Sequence, residues 1–165
     1  MKLHKALYKK FYINELFLSY LIVIFVPIVL PSYQLITGTV INCILAINAT
    51  NKKPKKIIPL LLIPSLVALL QNLIIGPFSP ILIYFIIPIW ITNYVYVYVI
   101  NAKKHQLYIL KPLILSFYSL ILIQLSVIPI AILIPMGIFQ FVTSTIGIVT
   151  AKLIKNIHNG NFREA

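Results

Sequence analysis

Six apolar segments, separated by short polar or proline-containing connections, dominate this sequence. They cover residues 15–30, 34–49, 57–75, 79–100, 110–129 and 135–154. A helix needs about 20 predominantly apolar residues to cross the hydrocarbon layer, and these segments are of that length or slightly shorter. Pro31, Pro77, Pro80 and Pro135 mark breaks, because proline cannot continue the hydrogen bonds of the preceding helix. The pattern predicts an all-α membrane bundle that forms a single domain over residues 1–165.

The composition agrees with a membrane protein. Hydrophobic residues make up 61% of the chain and charged residues 10%, against about 45–50% and about 25% in soluble domains. So few polar groups could not cover the surface of a soluble protein of this size. We therefore expect a multi-pass protein of the cell membrane in contact with lipid. The heavy use of lysine, isoleucine and asparagine is typical of an AT-rich, prokaryotic genome.

The basic residues indicate how the segments are oriented. The chain has 14 Lys and Arg residues but 2 Asp and Glu residues. The basic residues include Lys2, Lys5, Lys9 and Lys10 at the N-terminal end, Lys52, Lys53, Lys55 and Lys56 in the second-to-third connection, Lys103, Lys104 and Lys111 in the fourth-to-fifth, and Lys152, Lys155 and Arg163 at the C-terminal end. The other three connections carry no charge. Six transmembrane helices put all four basic regions on one side, which the positive-inside rule makes cytoplasmic. Both the N- and C-termini are then cytoplasmic.

The basic stretch "NKKPKK" at 51–56 also has to be weighed as a nucleic-acid patch. Nucleic-acid binders spread their basic residues over a face and interleave them with polar and acidic ones. Here the lysines form tight clusters between apolar segments. We therefore expect no nucleic-acid partner.

Polar and small residues follow one face of two of the predicted helices. The stripes consist of Gln34, Gly38, Asn42, Ala46 and Ala49 in the second segment, and of Gly137, Gln140, Ser144, Gly147 and Ala151 in the sixth. Polar groups are expensive in lipid, so both faces must point at protein or at a cavity. Helix packing explains such stripes as well, because small residues allow close approach and amides hydrogen-bond across an interface.

The polar residues are concentrated in the outer half of the predicted spans. These residues are Gln34, Thr37, Thr39, Asn42, Gln71, Asn72, Gln124, Ser126, Gln140, Thr143 and Ser144, while Asn93 lies deeper. Packing alone does not predict this bias. It favours an outward-facing pocket lined by amides and hydroxyls, without a charged group in mid-membrane, that holds a small neutral or weakly charged solute.

The groups that catalysis requires are missing from the predicted spans. There is no Asp, and His4, His105 and His158 fall in the basic regions. Hydrolysis and phosphoryl transfer lack an acid, a base and metal ligands, and no phosphate-binding glycine loop is present. We expect no enzyme, no cofactor and no metal, and any active transport would need a separate energy source.

From residue 35 to about 154 the sequence resembles the substrate-binding S components of energy-coupling factor transporters, in an uncharacterised branch of that group. The segments that carry the resemblance are "ITGTVINCILAINA" (36–49), "SPILIYFIIPIWITNY" (79–94) and "GIFQFVTSTIGIVTAKLI" (137–154). They are similar to a T-G-x-x-[VI]-N motif, a Pro-x-Ile…Asn fourth span and a Gln-x-x-Thr closing helix.

The resemblance implies a component that captures a small, vitamin-like solute from the outer side. By motif, it implies Thr37, Asn42, Asn93, Gln140 and Thr143 as substrate-binding residues. It also implies a transmembrane coupling subunit and two cytoplasmic ATPases as partners. The alternative is a non-catalytic scaffold or accessory subunit of a membrane complex, in which the amides only join helices.

Overall fold

The structure is a computed structural model that describes the backbone of residues 2–75 and 79–160. Side chains are described for residues 15–70, 81–104 and 106–157. Some features predicted above lie outside these limits, namely Pro77, Arg163 and the side chains of Lys2, His4, Lys5, Lys9, Lys10, Gln71, Asn72, Pro80, His105 and His158.

The described residues form six α-helices, which confirms the all-α class. They are α1 (Lys2–Val29), α2 (Gln34–Asn51), α3 (Ile58–Ile75), α4 (Ser79–Asn101), α5 (Leu110–Gln124) and α6 (Gln140–Gly160). Short 3₁₀ turns occupy Pro54–Ile57, His105–Ile109 and Ile130–Ile132, and a π-helical segment occupies Ile134–Phe139. The alternating run "NYVYVYV" (93–99) lies within α4, because burial among helices overrides the strand preference of its Val and Tyr residues.

The structure differs from the predicted boundaries at α1, which begins at Lys2 and not at residue 15, and in the region between α5 and α6. The fifth segment was expected to reach residue 129, but α5 ends at Gln124. Ser126 has a positive φ of 58° and Pro129 is extended, so the chain cannot continue as a helix there. Pro135 does not separate two helices; it lies inside the π-helical segment that leads directly into α6.

Consecutive helices run antiparallel. Between α3 and α4, Trp90 Nε1 donates to Ser65 Oγ over 2.7 Å, and Asn93 Nδ2 donates to the Leu61 carbonyl over 3.1 Å. The numbering therefore rises along one helix as it falls along the other. The same opposite order links α1 to α2 (Ser19 with Asn48, Leu30 with Thr37), α4 to α5 (Phe85 with Tyr118, Tyr96 with Lys111) and α5 to the entry of α6 (Tyr108 with Thr145, Ser116 with Gly137).

The even-numbered helices run parallel to one another. Along α2 and α4, Asn42 pairs with Tyr96 and Ala49 pairs with Asn101. Along α2 and α6, Gly38 faces Thr143, and Gly147 faces Asn42 one turn further on. The carboxyl ends of α2, α4 and α6 therefore meet at the same end of the molecule. We call it the basic end, because exposed lysines lie on these helix ends or directly follow them. These lysines are Lys53, Lys55, Lys56, Lys103, Lys104, Lys152 and Lys155.

Helix α2 lies at the centre of the molecule, in contact with α1, α3, α4 and α6. Its small residues Ala46 and Ala49 are buried with Ala151 of α6. A Cβ atom added at Gly147 would lie 2.8 Å from Asn42 Cβ and 2.9 Å from the Cys43 backbone nitrogen. Parts of the two small-residue stripes therefore pack against each other, whereas the sequence left open whether they face protein or a cavity.

Three of the described helical stretches are long and apolar enough to cross a membrane. They are Ile81–Asn101, Gln106–Gln124 and Ile130–Ile157, and Glu15–Val29 is a shorter apolar stretch. Large apolar side chains such as Phe17, Ile87, Phe117 and Ile130 are more than 60% exposed. Soluble monomers rarely expose so much apolar surface, whereas a surface of this kind is suited to contact with lipid.

Candidate functional site

Five polar side chains meet where α2, α4, α5 and α6 come together near the middle of the molecule. We call this group the central polar cluster: Asn42, Tyr96, Lys111, Thr143 and Ser144. All five are at most 4% exposed. Buried polar groups require hydrogen-bond partners, and the cluster supplies them from one helix to the next.

Asn42 is the hub of this cluster. Its Oδ1 atom accepts a hydrogen bond from Lys111 Nζ over 2.5 Å, and its Nδ2 atom donates to Thr143 Oγ1 over 3.0 Å. One amide thus joins α5 to α6 through its two ends. The close approach of Gly147 to the Asn42 backbone brings α6 near enough for the bond to Thr143.

The Tyr96 hydroxyl contacts the backbone of two other helices, α2 and α6. It lies within hydrogen-bond distance of the Asn42 carbonyl, at 3.3 Å, and of the Ser144 carbonyl, at 3.2 Å. Lys111 Nζ lies 5.2 Å from the centroid of the Tyr96 ring, which is within the range of a cation–π contact. Tyr96 therefore joins α4 to the α2–α6 pair and covers one side of the ammonium group.

Gln140 lies one turn before Thr143 and borders the cluster. Its backbone carbonyl accepts hydrogen bonds from the Thr143 and Ser144 hydroxyls. Its side-chain Oε1 is buried and, among the described side chains, is the buried polar atom without a hydrogen-bond partner. A buried acceptor of this kind costs about 1–3 kcal/mol. Gln140 thus keeps an open acceptor next to the residues of the central polar cluster.

The structure brings some of the five predicted site residues together and separates others. Asn42 and Thr143 are hydrogen-bonded, and Gln140 adjoins them. Thr37 is instead turned to the end of α1, where its Oγ1 donates to the Leu30 carbonyl over 2.9 Å. Asn93 is turned towards α3 and its Leu61 carbonyl. These two side chains do not join the central polar cluster, because each is held by a different helix pair.

Lys111 differs most from its predicted environment. The sequence placed it with Lys103 and Lys104 in a cytoplasmic connection and predicted no lysine among the deep polar groups. Its placement in a connection, apart from the buried polar groups, is wrong: Lys103 and Lys104 are exposed, but Lys111 is the second residue of α5 and is 4% exposed. It reaches Asn42, which lies about 12 Å from either end of α2 at the usual rise of an α-helix.

The inward course of the chain before α5 explains this burial. Residues His105–Ile109 form a 3₁₀ turn that packs against α4 and α6. Tyr108 lies against the main apolar core, and its hydroxyl accepts a hydrogen bond from Thr145 over 3.2 Å. Helix α5 therefore starts inside the bundle and not at its basic end. The sequence signal was the lysine-then-proline start of the fifth segment, "LKP" at 110–112, in which the lysine already belongs to the apolar run.

A second buried lysine lies nearer the basic end. Lys52, also predicted to lie in a connection, is 4% exposed, and its Nζ donates to Asn48 Oδ1 over 2.6 Å. Asn48 Nδ2 in turn donates to Ser19 Oγ over 2.9 Å. Burial lowers the pKa of the Lys52 ammonium, and the charge of Glu15 opposes part of that shift. Lys52 thus repeats the lysine–asparagine pair of the central polar cluster, but with a carboxylate near it.

The fold and the site together define an all-α protein with membrane-length apolar helices around a buried polar cluster that contains a lysine. Comparisons with family models, with curated proteins and with solved structures find no match to this chain.

Proposed function

We propose that the chain is a multi-pass membrane protein with six spans and both termini in the cytoplasm. The antiparallel succession of the six helices supports this topology. So does the common position of the exposed lysines at one end, since positive loops face the cytoplasm. In this arrangement the short connection between α1 and α2 faces outward.

The function that the site supports best is the binding of a small solute from the outer side of the membrane. The observation that carries the proposal is the central polar cluster together with the open acceptor of Gln140. Polar groups buried among apolar helices are expensive and mark functional sites by default. A solute with a hydrogen-bond donor would satisfy Gln140 Oε1 and offset the free energy lost by its burial.

Transport would then require partners that supply energy. Following the resemblance to the S components of energy-coupling factor transporters, the proposed partners are a transmembrane coupling subunit and two cytoplasmic ATPases. The proposed site consists of Asn42, Gln140 and Thr143, with Lys111 and Tyr96 added by the structure. Thr37 and Asn93 now belong to helix packing in this proposal.

A scaffold or accessory subunit is the second candidate. Several polar side chains do no more than join helices, and they favour this alternative. Asn101 Nδ2 donates to the Ala49 carbonyl over 2.8 Å, and Trp90 and Asn93 bond to α3. A scaffold has no need of an unpaired Gln140 acceptor, which is why solute binding is preferred.

A solute screen with two matched variants tests the proposal. The single cysteine, Cys43, is buried, so a thiol-reactive dye reports its exposure during thermal unfolding. We expect at least one member of a panel of vitamins and nucleobases to raise the unfolding midpoint. Asn42→Ala should abolish that shift, because it removes the hub of the cluster.

The matched control is Asn48→Ala. Asn48 is a buried asparagine of the same helix, but it pairs with Lys52 and lies outside the central polar cluster. The variant should lower the midpoint of the free protein and keep the solute-induced shift. If no solute stabilises the protein, the scaffold becomes the better reading. Equal loss of the shift in both variants would show that it depends on general stability.

The six-span topology can be tested by labelling. In intact cells, a membrane-impermeant maleimide should label Ser32→Cys, in the outward connection, and should label Lys53→Cys or Lys104→Cys only after permeabilisation. All three positions are exposed, and the buried Cys43 of the unaltered chain supplies the background. Labelling of Lys53→Cys in intact cells would contradict the proposed orientation.

A further inference from the structure

We infer that the Lys111 ammonium binds the carboxylate of a small solute, so that the ligand of the central polar cluster is an organic anion. This inference rests on the proposed solute-binding function and makes its ligand class specific. It departs from the sequence-based expectation of a neutral or weakly charged solute, because that expectation assumed a site without a lysine.

Lys111 has no carboxylate partner within the described structure. The chain contains two acids, Glu15 and Glu164. Glu164 lies outside the described residues. Glu15 is on α1, which has no contact with α5 among the described residues. An ammonium group in an apolar interior is strongly destabilised unless it is paired, and the formal net charge of +12 adds to that penalty.

Lys111 also retains hydrogen-bond donors. An ammonium group carries three N–H donors. Within the described part of the chain, Asn42 Oδ1 accepts one of them, and the Tyr96 ring covers another side without accepting a conventional hydrogen bond. The group therefore keeps donor capacity for the oxygens of a ligand. A carboxylate supplies both the negative charge and the acceptor atoms.

Lys52 provides the internal comparison. It is as little exposed as Lys111, at 4%, and also donates to an asparagine amide, but Glu15 lies close enough for its charge to act on Lys52. Lys52 therefore has an acid of its own, whereas a ligand would have to provide one for Lys111. Of the two buried lysines, Lys111 is the one suited to bind an anion from outside the chain.

The experiment uses acetate as a minimal carboxylate and acetamide as its neutral isostere, on the purified full chain in detergent at constant ionic strength. Sodium chloride replaces sodium acetate in the reference. We expect a saturating concentration of acetate to raise the thermal unfolding midpoint by about 2–4 °C, because a ligand that binds the folded state stabilises it. Acetamide should have no such effect.

Three variants locate the effect. Lys111→Met should abolish the acetate shift, and Lys52→Met should keep it. Asn42→Asp places a carboxylate within the chain against the ammonium, so this variant should unfold at a higher midpoint without acetate and should no longer respond to it. If Lys111→Met does not fold, the response of Asn42→Asp still decides the question.

The inference is overturned if acetate and chloride act alike on the native protein, or if the acetate shift persists in Lys111→Met or in Asn42→Asp. Its failure is distinct from that of the proposed function. One informative result would be a solute from the screen that stabilises the native protein and Lys111→Met equally, but not Asn42→Ala. That result would support solute binding at the cluster and contradict the binding of an anion by Lys111. A screen without any hit would count against the proposed function itself.

Discussion

Gly147→Ala is expected to lower the free energy of unfolding by about 3 kcal/mol, the upper part of the usual range for an overpacked core. The added Cβ would lie 2.8 Å from Asn42 Cβ and 2.9 Å from the Asn42 carbonyl carbon and the Cys43 nitrogen. Two of these atoms belong to the backbone of α2, so the helices must move apart. The thermal midpoint, read by the reactivity of Cys43, should fall by about 6–12 °C.

Gly38→Ala is the matched control, on the same α2–α6 interface. Its added Cβ would lie 3.0 Å from Thr143 Cγ2, which is a side-chain atom. A small adjustment of Thr143 relieves this contact, and alanine is the better helix former by about 1 kcal/mol. We expect a change of less than about 1 kcal/mol in this variant. Equal effects at the two glycines would contradict the close approach at Gly147.

Asn42→Leu is expected to lower the free energy of unfolding by about 3–5 kcal/mol, because it leaves a buried ammonium without its acceptor. Lys111 would lose the oxygen that lies 2.5 Å from its Nζ atom, and Thr143 would lose its donor. Removing one partner of a buried polar pair is more damaging than removing both. The double variant Asn42→Leu with Lys111→Met should therefore recover at least half of the loss.

Thermal unfolding of the two single variants and of the double variant gives the coupling between the residues. A strongly non-additive result is expected, since the residues are in direct contact. Asn93→Leu serves as a control for the loss of a buried asparagine, and Lys111→Met should not rescue it. Additive losses in the Asn42 pair would mean that Lys111 and Asn42 do not depend on each other.

The helices could be predicted because their signals are local. Lysine clusters and apolar runs located all six. The polar and small stripe of α2 was expected to face protein or a cavity; in the structure its residues from Gly38 to Ala49 pack on α6, while Gln34 is exposed. The end of α5 could not be predicted, because nothing in the sequence around Ser126 indicates that its φ is positive. Pro135 was expected to form a break, since sequence alone does not distinguish a proline between two helices from one within a π-helical entry.

The site was predicted in part for a related reason. Asn42 lies on the stripe of α2, and Thr143 lies beside the stripe of α6, next to Ser144, so their contact follows from helical spacing once α2 and α6 are paired. Lys111 stands next to the boundary of its segment, where a lysine side chain ordinarily extends to the membrane surface. Its inward direction depends on the 3₁₀ turn before α5 and on the acceptor that Asn42 offers. Both are tertiary features that no local pattern encodes.

The hydrogen bond between Trp90 and Ser65 gives the protein an optical reporter of its own. Trp90 is the single tryptophan of the chain, and its Nε1 donates to Ser65 across the α3–α4 contact. Indole emission shifts with the polarity and hydrogen bonding of its surroundings, so it follows the separation of α3 from α4. The reactivity of Cys43 with dye follows the separation of α2 from α6. Comparing tryptophan emission of an unlabelled sample with the dye signal of a second sample shows whether the α3–α4 and α2–α6 contacts open together or in sequence.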